Sequence, residues 1–305
     1  MFGWIALAII ILLLILIFYP GNAFRLAMRS VRRSAGLTCK RATVGRHQIV
    51  YLEGGTGPHL VLLHGFGANK DNWIRFAKHF TPSYHVIIPD LPGFGDSSYF
   101  PDEEYDVESQ VERLIDFFSA LKLDEFHLVG NSMGGQIAVA YTMKRPGRVL
   151  SLTLFDAAGV QEDKPGEMTQ LLVEKGVNPL VVKEADDYKE LLKFVFYNPP
   201  DYPSVIMKGL AADAVRHTSS NERIFQQLVG KWVPLDPLLP KIESPVLIIW
   251  GDKDRVFDVS CADRFEKGLK YSKKVVFENC GHMPMLELPD KSAEVVRDFI
   301  GSIRY

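Results

Sequence analysis

The sequence predicts an α/β fold, a mostly parallel sheet flanked by helices, with a helical cap insertion and an N-terminal transmembrane helix. Three observations predict it. From Gln48 onward, short apolar runs rich in β-formers alternate with helical periodicity, the pattern of a parallel sheet covered on both faces. That rhythm breaks between Gly159 and about Pro240, where apolar residues cluster at helical spacing and no strand is evident. Finally, Phe2 to Tyr19 contains no charged or strongly polar side chain.

Eighteen helical residues rise about 27 Å at about 1.5 Å each, close to the thickness of a hydrocarbon core. A cleaved signal peptide would need a positive amino end, a shorter apolar run and a small-x-small exit. Here no Lys or Arg precedes the run, and Phe18, Tyr19 and Pro20 occupy the exit, so residues 1–24 are expected to be a retained single-pass anchor. Residues 25–47 follow as a basic juxtamembrane segment. No acidic residue occurs before Glu53, while Arg25, Arg29, Arg32, Arg33, Lys40, Arg41 and Arg46 do, which suits anionic headgroups. Such a flank biases the catalytic body to the cytoplasmic side. Pairing of two spans in a homodimer is compatible with this reading, although no GxxxG pattern favours it.

Six runs read as strands: His59 to Leu63, Tyr84 to Ile88, Phe126 to Val129, Leu150 to Phe155, Val246 to Trp250 and Lys274 to Phe277. Between them, Val107, Val111, Leu114, Ile115, Phe118 and Leu121 share a helical face behind a capping Asp106. A closing helix after Pro289 and Asp290 carries Val296, Phe299, Ile300 and Ile303. The clusters Leu171, Leu172, Val173 and Leu191, Leu192, Val195 make the long middle segment a helical insertion, since a structureless loop of that length is improbable in a compact domain. The domains are therefore expected as a core of 48–159 and 241–305 with a cap of 160–240.

With 305 residues, 47% of them hydrophobic, the chain can bury a large core, which excludes disorder and a small disulfide scaffold. The net charge of −2 argues against a nucleic-acid partner. Cys39, Cys261 and Cys280 are widely spaced and odd in number, without the spacing of a zinc site, and P-loop, HExxH and GxGxxG motifs are absent. No metal and no organic cofactor is expected.

The chemistry lies in three places. After the strand Phe126 to Val129 the chain reads Gly130-Asn131-Ser132-Met133-Gly134-Gly135, a GxSxG turn between strand and helix that lifts Ser132 above the sheet at a helix N-terminus. After His59 to Leu63 come His64-Gly65-Phe66-Gly67, whose backbone can curl so that the Phe66 amide pairs with the Met133 amide as an oxyanion hole. His64 itself reads as a structural loop residue. A serine needs an imidazole to take its proton and a carboxylate to orient that imidazole. Among eight histidines, His282 alone lies in a loop just after a late strand. For the acid, Asp254 lies further beyond its strand than Asp252 and is preferred, with Asp156 third.

In this order, HGFG, GNSMGG, GDKD and ENCGH resemble the α/β-hydrolase superfamily. More closely, the apolar span followed by this set, with Val256-Phe257-Asp258-Val259-Ser260 after the acid, resembles membrane-anchored monoacylglycerol lipases and their bacterial lysophospholipase and phospholipase A relatives. The resemblance runs the length of the chain and is weakest in the cap. It implies an α/β-hydrolase fold with Ser132 as nucleophile, Asp254 as acid, His282 as base, and Phe66 and Met133 as oxyanion amides. It also marks Asp90-Leu91-Pro92-Gly93-Phe94-Gly95 as a structural loop. The implied activity is hydrolysis of monoacylglycerol, lysophospholipid or phospholipid acyl esters to free fatty acid through an acyl-enzyme. A carbon–carbon bond hydrolase of ring-cleavage products is the alternative within enzymes, and a non-catalytic hydrolase-fold binding protein the alternative outside them.

Overall fold

A computed structural model of the chain describes residues 20–303. The expected span, Phe2 to Tyr19, lies outside the described residues, and among these no helix is long and apolar enough to cross a membrane. Eight strands form one sheet: β1 (Leu37–Val44), β2 (His47–Gly54), β3 (His59–Leu63), β4 (His85–Pro89), β5 (Phe126–Asn131), β6 (Val149–Phe155), β7 (Val246–Gly251) and β8 (Ser272–Phe277). Their spatial order is β1-β2-β4-β3-β5-β6-β7-β8. β1 and β2 run antiparallel to their neighbours, and β3 through β8 are parallel.

Residues of the inner strands alternate between two apolar clusters, because successive side chains leave opposite faces of a sheet. Val61 and Leu63 pack with Phe117, Phe118 and Ile137 on one face. Leu60 and Leu62 pack with Trp73, Phe76, Phe80 and Val296 on the other. Burial on both faces explains why these strands read as continuous apolar runs. The helix Val107–Ala120 begins at Asp106, whose side chain accepts the Ser109 N–H at 2.8 Å. Four helices, Glu167–Lys175, Asp187–Val195, Ser204–Arg216 and Thr218–Gly230, fill the stretch between β6 and β7.

The segment expected as a basic flank differs from expectation. Residues 20–34 form a helix that packs near Ser204–Arg216, with Met28 and Met207 against the same apolar cluster. Residues 37–44 are the edge strand β1, so the sheet begins before residue 48. Several of its cations already have partners: Arg32 donates twice to Asp71 at 2.7 and 2.6 Å, Arg46 pairs with Asp102, and Lys40 pairs with Glu53. β1 escaped the sequence reading because it is exposed at nearly every inner position and therefore lacks an apolar alternation.

The strand order reverses about β3, with β4 on one side and β5 on the other. Loops leaving the carboxyl ends of β3 and β5 diverge there, which opens the crevice in which α/β sheets place their reactive groups.

Candidate active site

Ser132 is the hinge between β5 and the helix Met133–Lys144, with φ of 54° and ψ of −122°. Such a left-handed conformation costs a non-glycine residue of order 1–3 kcal/mol and persists only where surrounding bonds impose it. Here Ser132 N donates to Phe155 O at 3.0 Å, and its carbonyl accepts the Ala158 N–H at 3.0 Å, strapping the turn to β6. The flanking glycines are required by space. A Cβ on Gly134 would sit 2.5 Å from the carbonyl oxygens of Leu63 and His64, and one on Gly130 would collide with the Gly134 backbone.

The His64–Gly67 turn approaches from β3 closely enough that a Cβ on Gly65 would lie 3.0 Å from Ser132 Cβ. Among the described residues the N–H groups of Phe66 and Met133 donate to no protein acceptor. His64 is fully buried: its Nε2 accepts the Leu91 N–H at 2.9 Å, so its proton sits on Nδ1, 2.8 Å from Gly65 O. Burial pushes its pKa down to about 4, keeping the ring neutral. Behind it, Lys70 donates from both backbone and ammonium to Asp90, at 2.7 and 2.6 Å. Burial alone would lower the Lys70 pKa, but Asp90, Asp71 and Asp96 hold it above its ordinary range. The Asp90–Gly95 loop is thus anchored by a buried ion pair.

From the far side of the sheet, His282 and Asp254 meet in the loops after β8 and β7. His282 Nδ1 lies 2.8 Å from Asp254 Oδ2, while Asp254 Oδ1 accepts the N–H groups of Val256 and Phe257 at 2.7 and 3.2 Å. The Asp254 side chain is wholly buried. Asp252 faces outward, pairing with Lys253 at 2.8 Å, so of the two aspartates only Asp254 meets the imidazole. No hydrogen bond joins Ser132 Oγ to His282 among the described residues, and such bonds are often long before substrate binds. The described group of His, Cys, Asp and Glu close enough to hold a metal consists of Asp156, Asp254 and His282, which is the same imidazole–carboxylate assembly.

Two residues that the sequence reading left aside join the elbow, the base loop and the cap segment. Asn131 Nδ2 donates to His282 O and to Phe155 O, both at 3.1 Å, tying the strand before Ser132 to the loop that carries His282. Glu287 accepts the N–H groups of Gly281 at 2.7 Å, Asn198 at 3.0 Å and Tyr197 at 3.3 Å. Burial pushes its pKa up against those bonds. His282 N also donates to Val195 O at 2.8 Å, so the end of helix Asp187–Val195 holds the base loop directly. Asn131 was within reach of sequence reasoning, standing inside the GxSxG turn, whereas Glu287 has no local signature. On the other flank, the half-buried Phe66 ring packs edge-on against Phe94 and against Phe225 of helix Thr218–Gly230. A cleft of roughly 350 Å³ opens at Asp254 and is lined by Lys193, Phe196, Tyr197, Lys253 and Arg255.

A family model described as alpha/beta hydrolase fold matches residues 58–289. The chain is 35% identical over 274 residues to Lipase 1 of Psychrobacter immobilis, covering 88% of this chain and 86% of that one. It is 31% identical over 314 residues to monoacylglycerol lipase ABHD6 of Mus musculus, covering 99% and 94%. Its structure superposes on that of a membrane phospholipase A, described as a novel bacterial virulence factor, with a TM-score of 0.92 and 42% identity over 99% of this chain and 98% of that one.

Proposed function

The chain belongs to the alpha/beta hydrolase fold family, and from that membership we propose a membrane-tethered serine hydrolase of glycerolipid acyl esters, with Ser132, His282 and Asp254 as its triad. It is a carboxylic ester hydrolase acting on lipid esters, in keeping with relatives that are lipases, monoacylglycerol lipases and a membrane phospholipase A.

In this reading Ser132 Oγ attacks the ester carbonyl as His282 Nε2 takes its proton. Asp254, bonded to Nδ1, fixes the tautomer that leaves Nε2 free and balances the imidazolium charge. The oxyanion receives the N–H groups of Phe66 and Met133, the second at a helix N-terminus whose dipole favours negative charge. His282 returns its proton to the glycerol-side oxygen, that alcohol leaves, and the acyl group stays on Ser132. Water activated by the same imidazole then releases the fatty acid. Every charge that develops has a backbone amide or a triad member facing it, so neither metal nor cofactor enters the scheme. The apolar rings of Phe66, Phe94 and Phe225 beside the oxyanion turn support an acyl-chain site between core and cap. The span Phe2 to Tyr19 supports a membrane tether.

The observation that carries the reading is the buried 2.8 Å contact of His282 with Asp254 at the carboxyl ends of the strands, where the strained Ser132 also stands. A fluorophosphonate probe should label Ser132 in the intact protein and fail to label Ser132→Ala. Turnover of monoacylglycerols, lysophospholipids and short p-nitrophenyl esters then grades the substrate. Labelling that persists in Ser132→Ala, or turnover confined to short soluble esters, would refute it.

A further inference from the structure

Asp156 directly follows β6 beside the His282–Asp254 pair and is left unused by the scheme above. Its side chain is fully buried, and its φ of 44° is left-handed, a conformation that a non-glycine residue adopts only under constraint. Oδ1 accepts the Gly251 N–H at 2.8 Å, and the buried Oδ2 has no hydrogen-bond partner. One oxygen of Asp156, one of Asp254 and a ring nitrogen of His282 lie within 4.8 Å of one another.

Two carboxylates this close in a buried site cannot both ionise, since like charges there are neither solvated nor screened. The donors decide which one keeps the proton. Asp254 receives three, from Val256, Phe257 and His282, whereas Asp156 receives one. We infer that Asp156 is held as the neutral acid and donates its O–H to the Asp254 carboxylate, making it a positioning residue for the acid that orients His282. This inference rests on the proposed triad. The groups facing Asp156 are Asp254, Glu287, Cys280 and His282, none of which offers a permanent cation that would favour its charge. Burial first, and then the nearby Asp254 charge, push its pKa well above the ordinary carboxylate range, in the direction the donor count requires. The imidazole then faces one negative charge rather than two, and the orphaned oxygen becomes the donor side of a hydrogen bond.

Asp156→Asn tests this, because an amide can accept from Gly251 N–H with its oxygen and donate to Asp254 with its nitrogen, as a neutral carboxyl does. With p-nitrophenyl butyrate, Asp156→Asn should keep kcat within about threefold of the parent, whereas Asp156→Ala should lower kcat about 10- to 100-fold with KM unchanged, as expected when a catalytic group is slightly misplaced. The acidic limb of kcat/KM against pH should be unmoved in Asp156→Asn. A fall of that limb by about one pH unit or more would mean that a charge near His282 had been removed, and would overturn the inference. Loss of activity in Asp156→Asn equal to that in Asp156→Ala, or full activity in Asp156→Ala, would overturn it as well. Thermal melting checks that each variant folds, and if Asp156→Ala does not, the Asp156→Asn limb decides. Failure of the triad reading is separate, since it would show as turnover surviving in Ser132→Ala.

Discussion

At the residue scale, chemistry is set by which polar groups are buried and what each is bonded to. Ser132→Ala and His282→Ala should each lower kcat by on the order of 10⁴-fold or more while leaving the thermal midpoint within a few degrees, because members of the proposed triad act as one unit. Asp254→Ala should fall by a similar order, and Asp252→Ala should be milder, since its part-exposed carboxylate pairs with Lys253 and accepts the Cys280 N–H at 3.3 Å without touching His282. Turnover surviving in Asp254→Ala but lost in Asp252→Ala would reverse the assignment. His64 provides a different test. Its folded pKa of about 4 lies below that of an unfolded histidine, so the unfolded chain binds the extra proton in the window from about 6.5 down to about 4. Stability from this group is therefore present above that window and lost as pH falls through it, by up to about 3 kcal/mol. Histidine NMR should show at least two imidazoles still neutral at about pH 5, that of His64, bonded at both nitrogens, and that of His127, which burial also pushes down to about 4. An imidazole set titrating wholly near the ordinary value would refute this.

At the element scale, the helices between β6 and β7 do more than cover the site. The carbonyl of Val195 and the three N–H groups gathered by Glu287 bind the cap segment and the base loop together. Removing that carboxylate in Glu287→Ala leaves the buried Gly281 N–H without its acceptor, at about 1–3 kcal/mol, while the exposed Tyr197 and Asn198 N–H groups turn to water. Turnover should fall about 10- to 100-fold through displacement of His282, and short and long esters should suffer alike. Unchanged kcat on a short ester would show that the staple does not position the base. Phe225→Ala should behave differently. Its ring packs on Phe66 at the oxyanion turn, so its loss should damage long-chain turnover more than butyrate turnover, because remote contacts lower the barrier only for substrates that reach them. Equal losses would assign Phe225 to packing alone.

At the scale of the whole molecule, the sheet order places the Ser132 elbow and the Phe66 turn on adjacent strands at the reversal about β3, and His282 and Asp254, the proposed base and acid, follow from β8 and β7. The helix of residues 20–34 follows the apolar run Phe2 to Tyr19 in the chain, the proposed tether, and Arg32 fastens that helix to Asp71. Arg25, Arg29, Arg32 and Arg33 lie within about 15 residues of this proposed tether, the distance over which basic residues hold the flank of a membrane span on the cytoplasmic side. A compartment-sensitive reporter fused after Tyr305 should therefore signal from the cytoplasm, with the protein in the membrane fraction. A signal from the exported side would reverse the orientation, and a shortened soluble chain would remove the tether.

What the sequence determined by itself was whatever depends on neighbours along the chain. Five of the inner strands, β3 to β7, were legible because burial on both faces writes apolar runs, and the helix behind Asp106 because its cap and its face are local, whereas the inner strand β2 was missed. Ser132 and the Phe66 turn were legible because a strained backbone demands glycines at fixed offsets. The tertiary structure decided what depends on distant partners. Asp252 and Asp254 stand two residues apart after the same strand, and only the packing of the loops turned one to Lys253 and the other to His282. β1 is an edge strand whose pairing with β2 supplies backbone hydrogen bonds without requiring an apolar face. The partners of Asp156, Glu287 and Lys70 come from loops far apart in the chain. A buried polar group takes its properties from whichever donors surround it, and chain order does not encode that company.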